Sequence, residues 1–243
     1  MRGFARFRRV ADPLTEIAPP QLLPHRSTRA RPYLYTEQEV QHLLDAALQL
    51  PTRWPSTPLR PWVFHSLFGL LSVTGLRISE ALDLQLDDVD LERAVLTIRV
   101  AKLDRSRLVP IHPTTRDVLA EYLQRRARFL GSRRSPYVFI SNRGTRLDLG
   151  RVHKAFYAVS RLTGLRAPGA SKGPRLHDFR HRLAVEVLTR WYRSGEDPAR
   201  RLSVLSTFLG HVDVNGTYWY LSGAPQLMAQ AMARLERRWG EPS

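Results

Sequence analysis

The stretch AVLTIRVAKLDRSRLVPI, residues 94–111, interrupts a chain that otherwise reads as helix. Leu96, Ile98 and Val100 alternate with Thr97 and Arg99, the two-residue period of a half-buried strand. A polar turn at 104–106 then leads into a second apolar run, 108–111, so a β-hairpin is expected. On both sides the apolar period lengthens. Upstream, Thr36 and Glu39 have the spacing of a capping box ahead of Val40, Leu43, Leu44 and Ala47. Residues 62–73 read as a buried helix stopped by Thr74 and Gly75, with a short helix beginning near Arg77. Downstream, helical patterns cover 114–130, 149–162, 176–191, 202–209 and 225–239, and residues 137–141 are expected to add a third strand. The fold class is therefore mainly α with a small antiparallel β-sheet, and no internal repeat is visible.

Residues 1–35 are of a different kind. They hold seven Arg against two acids, with prolines at 13, 19, 20, 24 and 32, and only the opening MRGFARFRRV looks helical. This segment is expected to be a basic arm or linker, and residues 36–243 a single globular domain.

Composition narrows the function. The 243 residues are 43% apolar, enough to bury a core, and carry a formal charge of +16. A basic balance of that size is the electrostatic footprint of a polyanion-binding protein, with nucleic acid as first candidate. There are no cysteines, which removes disulfides, thiolate nucleophiles and Cys-ligated zinc, and fits a reducing cytoplasm. The start lacks the apolar centre of a signal peptide, and the longest apolar stretch is too short to span a bilayer, so no membrane association is expected.

Of the 38 basic residues only Lys102, Lys154 and Lys172 are lysine. Arginine does not surrender a proton in proteins, so a step that needs a cationic general acid needs lysine, and Lys102 sits at the hairpin turn, where it could swing over a bound strand. Its plainer reading is a solvated turn lysine on phosphate. In RLHDFRHRLA, residues 175–184, His177, Arg180, His181 and Ala184 share one helix face. The two histidines have the spacing of a zinc helix, but Asp178 stands where a zincin has Glu, and the guanidinium between the imidazoles opposes a cation. The other reading is an anion clamp, with a fork of donors from Arg180 and one donor from each histidine. In LGHVDVNGTYWYL, residues 209–221, Gly210 ends a helix and places His211 at its C-terminal end, with Tyr218 and Tyr220 following. Taken alone, these tyrosines read equally as packing residues.

In combination the fragments are specific. TGLRISE at 74–80, AKLDRSRLVPI at 101–111, HDFRH at 177–181, and LGH with Tyr220 nine residues after His211 occur in one order. The set resembles the catalytic domain of the tyrosine recombinases, the phage-integrase and Xer-like family, over about residues 36–239. The resemblance implies that Arg77, Lys102, His177, Arg180, His211 and Tyr220 are the catalytic residues, with Lys102 five residues before the Arg107 of RLVP. Glu80 and His181 match neighbours that support them. It implies a metal-free reaction without cofactor, in which a tyrosine attacks a phosphate of double-stranded DNA to leave a 3′-phosphotyrosyl link. It also implies a tetramer on DNA in which the final helix, with Met228, Ala231, Met232, Leu235 and Trp239 along one side, docks into a neighbouring protomer, and possession of a partner recombinase by some members. Members carry a helical clamp domain ahead of the catalytic one, so MRGFARFRRV is expected to be the last helix of such a domain. The expected location is the cytoplasm, at the nucleoid.

Two other readings remain at this point. A DNA-binding protein of the same fold, catalytically limited by a missing clamp, would bind without forming an adduct. A metal-dependent nuclease or transposase would use Asp87, Asp88 and Asp90 together with histidines, although those acids sit in a polar connection before a strand and read as surface loop.

Overall fold

The start of the main helical unit is set by side chains that satisfy the first free amides. In the computed structural model, which describes residues 2–18, 32–52, 59–100 and 105–211, the chain divides into units Met1–Arg31 and Pro32–Ser243. The first holds α1 (Arg2–Ala11), with Phe4, Phe7 and Val10 exposed and Asp12 accepting from the Leu14 amide at 3.2 Å just beyond its end.

The second unit opens with α2 (Glu37–Leu48). The Glu39 amide donates to Thr36 Oγ1 at 3.2 Å and the Thr36 amide to Glu39 Oε2 at 2.7 Å, the reciprocal capping box read from the sequence. Next comes α3 (Leu59–Thr74), apolar on nearly every side and buried along its length, as a helix without a polar face must be. A short α4 (Ile78–Asp83) and a 3₁₀ turn (Leu86–Asp88) lead to the sheet, β1 (Val89–Asp90), β2 (Val95–Val100) and β3 (Arg105–Pro110). It is followed by α5 (Pro113–Leu130), α6 (Leu149–Leu162), α7 (His177–Arg193) and α8 (Pro198–Leu209). The central α3 packs against α2, α5 and α7, while α8 packs against α7 and β3. Among the described residues no helix is long and apolar enough to cross a membrane.

The sheet is antiparallel in the order β1-β2-β3, with Leu96 opposite Val109 and Ile98 opposite Arg107. Leu96, Ile98 and Val109 are buried and Leu108 faces out, the alternation that the hairpin reading required. The turn expected at 104–106 is displaced toward the N-terminus, since residues 105 and 106 already belong to β3, opposite residues 100 and 99. Residues 101–104 and the expected helix at 225–239 lie outside the described residues.

The third strand differs from expectation. Residues 137–141 contribute only isolated bridges, Gln85 with Tyr137 and Ile140 with Arg146, and the third strand is β1. The cause is burial on all sides. Val138, Phe139 and Ile140 are consecutive core residues whose backbone groups are divided between two neighbouring segments, the Val138 amide on Leu84 O at 2.9 Å and the Leu147 amide on Phe139 O at 3.2 Å, while the Arg126 guanidinium takes the Tyr137 and Ser135 carbonyls at 2.7 Å each.

Candidate active site

The site is assembled where α3 ends. Gly75 closes that helix with its amide on Leu71 O at 3.0 Å and a φ of 60°. A Cβ on Gly75 would lie 2.9 Å from Leu183 and 3.1 Å from Leu209, so the close approach of α7 and α8 needs glycine there. Two residues on, Arg77 is extended and serves as the N-cap of α4, with its amide on Glu80 Oε2 at 2.9 Å. Its side chain donates through Nη1 to Glu80 Oε1 and through Nη2 to the Gly210 carbonyl, both at 2.8 Å.

Arg180 reaches the same place from α7. It is 2% exposed, with Nη1 on Gly75 O at 2.8 Å and Nη2 on Leu209 O at 2.6 Å. Carbonyls at the ends of α3 and α8 thus engage both of its terminal nitrogens. His177 is exposed at the first turn of α7 and His181 is buried one turn on, with their rings edge to face and centroids 4.6 Å apart. Asp178 is buried between them in sequence and is held by Arg175, whose amide and Nη2 donate to it at 2.8 Å each.

The third arm is the end of α8. Gly210, at φ 67°, donates to Thr207 O at 2.9 Å, and the His211 amide donates back to Ser206 O at 2.9 Å, a Schellman stop. This gives the LGH sequence its physical content, because the left-handed glycine turns the chain so that His211 leaves the helix at the arginine cluster. Arg107, projecting inward from β3, donates through Nε to Phe208 O at 3.0 Å. Three successive carbonyls, at 208, 209 and 210, therefore accept from Arg107, Arg180 and Arg77. The negative end of a helix dipole suits this crowding of cations.

Glu80 joins the cluster from below. Its Oε1 and Oε2 accept from Arg107 Nη1 at 3.1 Å and Nη2 at 2.8 Å, besides Arg77. Burial acts to raise the Glu80 carboxyl, but the hydrogen bonds from Arg107 and the Arg77 amide, the charge of Arg107 and the hydrogen bond from the Arg77 side chain outweigh it and hold the group below its ordinary value. Three guanidiniums against one carboxylate leave the site cationic, suited to an anion whose charge increases during reaction.

Arg77, Glu80, Arg180 and the His211 corner thus converge, with His177 and His181 on the helix that delivers Arg180. Lys102, Tyr218 and Tyr220 lie outside the described residues. Asp88 caps the 3₁₀ turn through the Gln85 amide at 3.0 Å and pairs with Arg99 at 2.5 Å, while Asp90 accepts from the Arg93 amide at 2.8 Å, so these two carboxylates serve their own loop. Sequence reasoning used Arg107 as a landmark and missed its contacts. The available signal was a charge at an inward strand position, two residues before the buried Val109.

Residues 34–226 match the phage integrase family. The integrase/recombinase y4rB of Sinorhizobium fredii is 55% identical over 240 residues, covering 98% of this chain and 76% of the relative. The tyrosine recombinase XerA of Thermococcus kodakarensis is 28% identical over 244 residues, 99% of this chain and 75% of that protein. Among solved structures, the XerH site-specific recombinase bound to its palindromic difH substrate in a post-cleavage complex has the same fold, with a TM-score of 0.62 at 22% identity over 87% of this chain and 54% of that one. The mainly helical fold with its three-stranded sheet, the ordered motifs and this degree of identity place the chain in the phage integrase family, the site-specific tyrosine recombinases.

Proposed function

We propose that the chain breaks and rejoins double-stranded DNA by metal-free transesterification, with Tyr220 as nucleophile. The phenol oxygen forms a bond to a backbone phosphorus as the bond to the 5′ oxygen breaks. The phenolic proton passes to His177 or to solvent, and Lys102 delivers a proton to the departing 5′ oxygen. Arg77, Arg180 and His211 donate to the non-bridging oxygens, where charge accumulates. Because the phosphotyrosyl link conserves the bond energy, a 5′ hydroxyl from another strand reverses the step without a nucleotide cofactor, and exchange between sites follows.

The observation that carries this reading is the convergence of Arg77, Arg180 and the Gly210–His211 corner, brought from three helix ends onto one point. An assembly of guanidiniums around a helix C-terminus, ahead of a segment with two tyrosines, suits a phosphodiester more than any neutral substrate. The formal charge of +16 supports a DNA partner of long reach, and the Arg-rich residues 1–35 add phosphate contacts to it. On DNA the chain works as a tetramer joined through its final helix, serving a mobile genetic element in the cytoplasm, alone or with a partner recombinase.

The test is a covalent adduct. Nicked duplexes from the DNA flanking the gene are incubated with the protein in chelator and denatured. A resistant adduct lost in Tyr220→Phe and kept in Tyr218→Phe is the expected result. An adduct that survives Tyr220→Phe, or cleavage that requires added divalent metal, overturns the assignment. Deleting residues 224–243 tests assembly: a folded truncation that still forms tetramers on DNA removes the final helix from the proposal.

A further inference from the structure

The chemistry above uses Arg77, Arg180 and His211 and gives no role to Arg107, whose guanidinium bridges two of the elements that carry them. We propose that Arg107 is a positioning residue for DNA cleavage, setting Arg77 and the His211 corner relative to each other through Glu80 and the end of α8; this rests on the recombinase reading of the site.

The hydrogen bonds close a ring. Arg107 holds both Glu80 oxygens, at 3.1 and 2.8 Å. Glu80 in turn holds Arg77 by its amide at 2.9 Å and by Nη1 at 2.8 Å. Arg77 Nη2 returns to Gly210 O at 2.8 Å, and two residues back Phe208 O accepts Arg107 Nε at 3.0 Å. The Arg107 guanidinium also lies flat on Gly210, where a Cβ would meet its Nη1 at 2.5 Å. A link in such a ring cannot rotate without disturbing the next.

The geometry requires a planar fork with three used donors, two on the carboxylate and Nε on the carbonyl. A lysine reaches one of these acceptors at a time. Nothing local calls for a charge at this position: the facing residue on β2 is the buried Ile98, and the side chain of Arg107 is only 10% exposed. Without Arg107, Glu80 has one guanidinium for both oxygens, and the bidentate pairing this favours draws Arg77 Nη2 off Gly210 O. The donors aimed at the phosphate then lose register with the corner that carries His211, an error small in distance and large in rate.

The experiment is single-turnover cleavage of a nicked duplex at saturating protein, with duplex affinity and melting temperature measured alongside. Arg107→Met is expected to form adduct about 100-fold more slowly while affinity stays within about twofold. Arg107→Lys keeps charge and bulk and is expected to lose about tenfold; it carries the test if the methionine variant melts too low to assay. Loss of affinity in step with loss of folded protein would reduce Arg107 to a stabilising contact and overturn the proposal. Cleavage within about threefold of the parent for both variants would do the same. If the parent chain itself yields no adduct, the recombinase reading is what has failed. Arginine side-chain NMR then decides the positioning claim separately: the Arg77 Nη protons, protected in the parent, lose protection in Arg107→Lys, and retained protection overturns it.

Discussion

Gly210 shows how one residue can be fixed by two requirements at once. Its φ of 67° is a left-handed conformation, and its missing Cβ leaves room for the Arg107 guanidinium. Gly210→Ala incurs the left-handed penalty of about 1–2 kcal/mol and in addition pushes Arg107 away. Urea denaturation is expected to show a loss of at least that size, whereas a neutral result would mean the α8 end relaxes freely. Glu80 gives a prediction in pH. Its folded-state pKa lies below the ordinary 4.5, so its contribution to stability is complete above that value and disappears as pH falls through the folded pKa. At neutral pH, Glu80→Gln leaves two guanidiniums without their carboxylate and is expected to melt roughly 5 °C lower. The gap between parent and variant should narrow as pH falls below the ordinary 4.5 and close once pH is below the folded pKa; a gap independent of pH would assign the loss to packing. Neither Glu80 nor Arg107 could be weighed from sequence alone, because their contacts join residues 27 and 101 positions apart.

At the scale of elements, local signals decided what was readable. The Thr36–Glu39 box fixed the start of α2 because both hydrogen bonds lie within four residues. Removing the cap with Thr36→Ala is expected to lower stability by about 1 kcal/mol, and Thr36→Asp to restore most of it; equal losses in the two variants would show that the cap oxygen is not what matters. The hairpin was readable from its alternation. The third strand was not, since β1 is two residues long and 137–141 is apolar without alternation. What settles that segment is where its backbone groups go, to Leu84 on one side and Leu147 on the other, with the Tyr137 and Ser135 carbonyls taken by Arg126 of the preceding helix. The LGH motif was legible as a helix stop, while its meeting with three arginines depended on how α7, α8 and β3 pack.

For the whole molecule, the basic excess predicts a steep response to salt. Each neutralised phosphate releases condensed counterions, so affinity for arbitrary duplex is expected to fall about a thousandfold or more between about 50 and about 200 mM salt. A shallow slope in a filter-binding titration would mean that few of the 38 basic residues face the duplex. The general class of the fold and the identity of most site residues were present in ordered motifs, because chemistry constrains residue type. Their spatial relations were not, since three helix ends had to be brought together by a core distributed over the whole unit.

The acceptors at 208, 209 and 210 belong to the main chain. An amide carbonyl is present whatever side chain is attached, so the clamp places no demand on the identity of residues 208 and 209, and descent is free to vary them within what packing permits. Leu209 is sealed in the second core cluster and is limited to side chains of its size, whereas the half-buried Phe208 is open to wider exchange. The inherited constraint concentrates on the glycine at 210 and on the arginines that reach across to it.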